Sequence, residues 1–315
     1  MTNEMPPALH QFIAIDLPPL LSALFAAVAC SILGSFLVLR RQSLLGDAIS
    51  HSVLPGIVVA FLITGSRSTL AIFLGAALAG LFSAFLIEIV RRLGKLDESA
   101  AMGVIFSTFF ALGILTMEQA AARNVDLDPD CLLHGQLETI FWYPPREWSS
   151  FFSMTTLSSV PGEVYASGIT ALLVIGFVFI FWKELIISSF DPALCSALGF
   201  RSNLIHHALM VCLACAVVAS FKAVGSILVI ALLVCPAATA RLCTDRLTIH
   251  LLLSIIFSIV ACIIGYLCGA FVPLWVGFNQ SVSIAGMVAV IAGFVLACAT
   301  IAAPRYGIVW REKLR

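Results

Sequence analysis

Apolar residues run along this chain in blocks of about twenty, separated by short polar stretches. The blocks fall at roughly 19–39, 47–65, 69–90, 100–118, 166–186, 206–221, 224–240, 250–270 and 282–302. Each is long enough, or nearly so, to carry an α-helix across about 30 Å of hydrocarbon at 1.5 Å per residue. The runs are continuous, without the polar–apolar alternation of barrel strands, and only helices satisfy every backbone hydrogen bond within such a run in lipid. The pattern predicts an all-α, polytopic transmembrane bundle of eight or nine spans. The sixth and seventh blocks are short and meet at Phe221-Lys222-Ala223-Val224-Gly225, so they read either as two short helices or as one broken helix.

Composition narrows the function classes. Of 315 residues, 61% are hydrophobic and 11% charged, with mean hydropathy +1.08. A soluble domain carries about 25% charged residues, so a soluble enzyme and a disordered chain are excluded. A nucleic-acid binder needs a basic patch that this chain lacks. Cys30, Cys212, Cys215, Cys235, Cys262, Cys268 and Cys298 lie in apolar runs and read as small buried hydrophobes. Cys131, in a polar segment, stands apart.

Charge sets the orientation. Seventeen basic residues balance seventeen acidic ones. Arg40, Arg41, Arg91, Arg92, Lys95, Lys183, Arg201, Arg241, Arg246, Arg305, Arg311, Lys313 and Arg315 can share one side, which leaves Arg67, Arg123, Arg146 and Lys222 on the other. The thirteen-to-four split predicts a cytoplasmic C-terminus. With nine spans, residues 1–18 form a non-cytoplasmic N-terminal segment, and the first span acts as an uncleaved insertion signal. Residues 19–302 form the transmembrane domain and 303–315 a cytoplasmic basic tail. Segment 119–165 is expected outside, with Trp142, Tyr143 and Trp148 as an interfacial belt and residues 131–135, including His134, as a short surface or re-entrant helix. The outer face then sums to about minus five, four bases against Glu4, Asp16, Glu118, Asp126, Asp128, Asp130, Glu138, Glu147 and Glu163. An acidic mouth concentrates cations.

Ionisable groups at span depth are expensive and usually functional. Asp47 and His51 are four residues apart, hence on one helix face. Carboxylate and imidazole together are a ligand set for Mn²⁺, Fe²⁺ or Zn²⁺. The same spacing also suits an ion pair that holds helices together, and Arg40 or Arg41 could pair with Asp47; both readings stand. Pro55 cannot donate a backbone hydrogen bond, so Pro55-Gly56 is a candidate kink beside the site. Pro236, among small residues, reads as a packing point or as lining of the pathway.

Asp191-Pro192 is a helix start and Gly199 a helix end, which predicts a two-turn helix within the cytoplasmic segment 187–205. It is either a connector or a docking knob for a cytoplasmic partner. His206, His207 and His250 read as interfacial, and Glu88 as an end-of-helix ion pair with Arg91 and Arg92. There is no GxxxxGK[ST], because Gly94-Lys95 is followed by Leu96, so any ATP must be bound by another subunit.

The stretch Arg40-Arg41-Gln42-Ser43-Leu44-Leu45-Gly46-Asp47-Ala48-Ile49-Ser50-His51-Ser52-Val53-Leu54-Pro55-Gly56 resembles the signature of the membrane permeases of ABC importers for manganese, zinc and iron. Phe190-Asp191-Pro192 through Leu198-Gly199 is similar to their coupling segment. Ala223-Val224-Gly225 through Pro236-Ala237-Ala238-Thr239-Ala240 resembles a third signature, and Ala303-Pro304-Arg305-Tyr306-Gly307 their ending. The resemblance implies an ABC importer permease fold, not an enzyme, in the bacterial inner membrane. It implies a second permease subunit, a cytoplasmic ATPase dimer and an external solute-binding protein. It implies no resident cofactor: the divalent metal is cargo, touched by Asp47 and His51, with Asp191, Pro192, Leu198 and Gly199 coupling to the ATPase. Manganese is the first choice, with iron and zinc behind. The competing expectations are a permease for a siderophore- or cobalamin-type chelate, a stand-alone secondary cation carrier, and an intramembrane metalloprotease, for which the HExxH spacing is missing.

Overall fold

The computed structural model describes residues 6–65, 69–121, 135, 137–143, 156, 158–276 and 282–303. Two short turns, α1 (Pro7–Gln11) and the π-helical Phe12–Asp16, lead into α2 (Leu17–Leu39). Then come α3 (Leu45–Thr64), α4 (Thr69–Gly94), α5 (Glu98–Ala121), α6 (Gly162–Ile180), α7 (Trp182–Phe190), α8 (Pro192–Ala197), α9 (Ser202–Val224), α10 (Ser226–Cys243), α11 (Leu247–Val276) and α12 (Ile284–Ala302). Among the described residues, nine helices are long and apolar enough to cross a membrane. The sixth and seventh blocks are two helices, α9 and α10, separated by Gly225 with φ +80°.

Two boundaries differ from the sequence pattern. The first apolar helix begins at Leu9, ahead of residue 19. Pro18 and Pro19 lack N–H groups, so the Ala14 and Ile15 carbonyls have no helical donor; the π turn absorbs the mismatch, and the Trp142 backbone N–H donates to the Ala14 carbonyl at 2.9 Å. The fifth block divides at Phe181 (φ −97°, ψ 22°) into α6 and α7, where the apolar run gives way to Trp182, Lys183 and Glu184.

Helix α2 is the axis of the bundle, packing against α6, α9, α10 and α11. From Ala29 to Leu37 every residue is buried, which suits a helix with no polar face. Its seam with α11 is a ladder. The Ser254 hydroxyl donates to the Ser31 carbonyl at 3.2 Å, Ser258 to the Ala27 carbonyl at 3.0 Å and the Cys262 thiol to the Ala23 carbonyl at 3.7 Å. Donors and acceptors each step by four residues in opposite senses, so the helices run antiparallel. One turn further along, the Tyr266 hydroxyl meets Asp16 Oδ1 at 2.9 Å. Small side chains bring the backbones together here and at the crossing with α10, where a Cβ on Gly34 would lie 1.9 Å from the Leu233 carbonyl oxygen.

Helices α3, α4 and α5 form a second group, joined to the axis through α9 and α10. A Cβ on Gly56 would stand 2.5 Å from both the Gly75 carbonyl and the Ala79 side chain, and one on Gly75 2.4 Å from the Ala60 side chain. Buried Ser52 and Ser83 hydroxyls bond across the same seam at 2.8 Å. Large apolar side chains on the outer surfaces, among them Ile63, Leu172 and Phe179, are exposed, as lipid-facing positions should be.

Candidate functional site

The site stands at the end of the bundle where α2 finishes and α3 starts. Asp47 lies in the first turn of α3 and His51 one turn further in. A carboxylate there is favoured by the positive end of the helix dipole. At 1.5 Å per residue, His51 is about 9 Å from the helix start, so the pair sits toward one end of the span and not at its middle. Asp47 Oδ1 and His51 Nε2 are 3.4 Å apart, and the side chains are 32% and 16% exposed. The imidazole stands nearly perpendicular to two rings of α5: Phe106 at 4.7 Å and 77°, and Phe110 at 5.3 Å and 89°. His51 Nδ1 is buried and has no hydrogen-bond partner among the described residues.

The neighbourhood is built so that arginine does not neutralise Asp47. Arg40 turns away and donates to Ser188, Ser189 and His206; the Arg40–Asp47 pairing that sequence proximity allows is not formed. Burial pushes the Arg40 guanidinium down to about 10, still protonated at neutral pH. Gln42 donates to the Glu98 carboxylate at the start of α5, and Glu98 also meets Arg91 at 3.4 Å. Glu88 pairs with Arg91 at 2.8 Å and with Arg92, the end-of-helix pair expected from the spacing. Ligand capacity is limited: no group of three or more His, Cys, Asp or Glu side chains comes together among the described residues.

Pro55 and Gly56 lie inside α3, which is one helix from Leu45 to Thr64. Gly113 of α5 packs on Pro55, and Gly56 faces Gly75, so both residues serve helix contacts next to the site. Pro236 is buried inside α10.

Helix α8 is set by its caps. The Asp191 carboxylate accepts from the backbone N–H groups of Ala193 and Leu194 at 3.0 and 2.9 Å. Leu198 is the C-cap. Gly199, with φ +85°, donates to the Ser196 carbonyl, and Phe200 to Cys195, which is a Schellman ending. Phe190, Leu194, Leu198 and Leu204 are exposed around it, beside an open cleft of about 490 Å³ lined by Ser196, Phe200, Arg201, Asn203 and His207. His207 Nδ1 lies 2.6 Å from the Asn203 carbonyl. His250 lies in the first turn of α11 and is buried.

Sequence reasoning missed Phe106, Phe110 and the Ser254/Ser258/Cys262 ladder. Four-residue spacing was the available signal for both, but each set finds its partner on a distant helix. Cys131, His134, Asp126, Asp128, Asp130, Trp148 and the tail beyond Ala303 lie outside the described residues.

This arrangement has known counterparts. PsaBC from Streptococcus pneumoniae, solved in complex with Fab, superposes with a TM-score of 0.72 at 28% identity, covering 94% of each chain. This chain itself has nine apolar helices among the described residues, the Asp47–His51 pair near one span end and the capped helix α8. The chain is 36% identical over 294 residues to the manganese transport system membrane protein MntD of Bacillus subtilis, covering 93% of this chain and 94% of that one. It is also 36% identical to the zinc transport system membrane protein TroD of Treponema pallidum, covering 92% and 75%. Residues 14–141 and 151–302 match the ABC 3 transport family, and the chain belongs to that family. It is a transport component and not an enzyme.

Proposed function

We propose that this chain is the permease subunit of an ATP-driven importer of a divalent transition metal, with manganese as first candidate and iron or zinc behind. The observation that carries the reading is the Asp47–His51 pair: oxygen and nitrogen 3.4 Å apart, partly open, with a second imidazole nitrogen unpartnered among the described residues. That donor set suits all three metals and selects none of them. The relatives' names point the same way, one to manganese and one to zinc.

Two ligands from one chain leave coordination positions for water or for a second permease, identical or homologous. Such a site holds an ion loosely enough to release it, as conduction requires. An external binding protein delivers the ion to the acidic outer face. A pair of cytoplasmic ATPases docks on the apolar surface around α8, with Asp191, Pro192, Leu198 and Gly199 shaping the contact. The membrane is the bacterial inner membrane, with the C-terminus cytoplasmic.

The test is uptake of Mn²⁺, Zn²⁺ and Fe²⁺, read by mass spectrometry, in cells carrying the whole system. Asp47→Ala and His51→Ala, each at normal expression, are expected to lower uptake at least about tenfold, the scale seen when ligand shells are disturbed. Wild-type uptake in both variants refutes the site. Uptake that persists with the ATPase deleted refutes the ATP-driven reading and favours a secondary carrier.

A further inference from the structure

Arg40 holds three side chains from two other elements. Its Nε donates to Ser189 Oγ at 3.1 Å, Nη2 to Ser188 Oγ at 2.8 Å and Nη1 to His206 Nδ1 at 3.2 Å. Arginine has no acceptor, so His206 Nδ1 must accept and its ring proton sits on Nε2. Ser188 and Ser189 close α7, just before Asp191; His206 lies near the start of α9, just after the loop that follows α8. A single guanidinium thus grips the chain on both sides of α8.

On its other side Arg40 is tied to Asp47 and His51 through a short, hydrogen-bonded turn. Gln42 N–H donates to the Leu37 carbonyl at 2.8 Å, Leu45 to Gln42 at 3.0 Å and Ala48 to Leu44 at 3.0 Å. Arg41 adopts φ +60° within that turn, so the path from Arg40 to Asp47 contains little slack. The Gln42 side chain carries the connection sideways to Glu98 at the foot of α5, the helix that presents Phe106 and Phe110 to His51.

We propose that Arg40 is the positioning residue that joins α8 to the metal-binding helix. Displacement of α8 from the cytoplasmic side pulls on the guanidinium through α7 and α9, and the α2–α3 turn transmits it to Asp47 and His51. Arg40 touches no cargo. The proposal rests on the reading of the chain as an ATP-driven permease.

The test uses the complete importer, with its ATPases and binding protein, in proteoliposomes, measuring Mn²⁺ uptake and ATP hydrolysis together. Wild type must show ATP-dependent uptake; if it does not, with Zn²⁺ and Fe²⁺ also tried, it is the permease reading that fails. Arg40→Lys keeps the charge but loses the planar fork that reaches three acceptors. It is expected to leave stimulated hydrolysis within about twofold of wild type while uptake falls about tenfold, so that metal moved per ATP drops. Ser188→Ala with Ser189→Ala removes the α7 acceptors and leaves Arg40 in place; the same drop in the ratio is expected. Combining all three changes should add little, because they cut one connection. A ratio equal to wild type in both variants, or uptake and hydrolysis lost in parallel, overturns the proposal. If Arg40→Lys fails to assemble, the serine variant decides alone.

Discussion

His51 is flanked by aromatic walls and meets Asp47 through one nitrogen only. Its ring stands perpendicular to Phe106 and Phe110, and the other nitrogen is left without a partner among the described residues in a buried setting. Edge-to-face ring contacts are worth about 0.5–1.5 kcal/mol beyond the area they bury, enough to fix a ring orientation but far less than a lost ligand. Replacing both rings (Phe106→Leu with Phe110→Leu) is therefore expected to raise the metal concentration for half-maximal uptake several-fold, about 3- to 10-fold at 1.4 kcal/mol per decade, with the maximal rate largely kept. His51→Ala should abolish the rate itself. Initial-rate uptake over a metal titration separates the two. At this scale the sequence was partly legible. The i, i+4 spacing placed Asp47 and His51 on one face without any fold. The aromatic partners sit some 55 residues away, and local periodicity carries no information about which helix a phenylalanine will meet. The direction taken by Arg40 was equally hidden: in sequence it is close to Asp47, and its acceptors come from α7 and α9.

Among the helices, glycines mark where backbones touch. At Gly56 and Gly75 a single added carbon on either helix would overlap the other. Gly56→Ala is expected to destabilise the protein by about 1–3 kcal/mol, the range for overpacked seams, and to displace α3 near Asp47 and His51. Gly293→Ala, on α12 with nothing within 4 Å of the new carbon, should leave stability unchanged or slightly raised, since alanine is the better helix former. Thermal unfolding of the detergent-solubilised protein, followed by ligand-free size exclusion or intrinsic fluorescence, distinguishes them. Helix identity was legible from hydropathy because lipid removes the alternatives to a helix. The caps of α8 were legible as well, since Asp191, Pro192 and Gly199 encode local backbone geometry. The ends of α2 and α6 were not. Pro18-Pro19 reads as a helix start, yet the chain is already helical before it, accommodated by a π turn and a donor from Trp142. The α6–α7 division at Phe181 is a local break in backbone angles within a stretch that hydropathy alone runs together.

For the whole molecule, the chain order fixes which ends lie together. The end of α2, the start of α3, the end of α4, the start of α5 and α8 share one side, and residues 137–143 with the α9–α10 break at Gly225 share the other, Gly135 lying against Val224 and Gly225. The basic residues predict that the first side is cytoplasmic. Single cysteines at exposed Tyr143 and at Leu198, each in a variant whose native cysteines are replaced by serine or alanine, test this in intact cells: a membrane-impermeant maleimide should label Tyr143→Cys and spare Leu198→Cys until the membrane is opened. Labelling in the reverse order would invert the topology and with it the direction of transport. The span count was nearly complete in the sequence; the arrangement around α2 was not, because helices that are apolar on every face do not say which of them is central.

The four-residue ladder between α2 and α11 limits how such a molecule can move. Sliding these two helices by a fraction of a turn would break the Ser254, Ser258 and Cys262 contacts to α2 together. Their next shared register lies a full turn away, about 5.4 Å. Intermediate positions lose all three contacts together, which opposes axial sliding of α11 along α2. The ladder restrains sliding along the α2–α11 seam alone; the turn after α2, which carries Arg40 and leads into α3, lies beyond its last rung at Ser31.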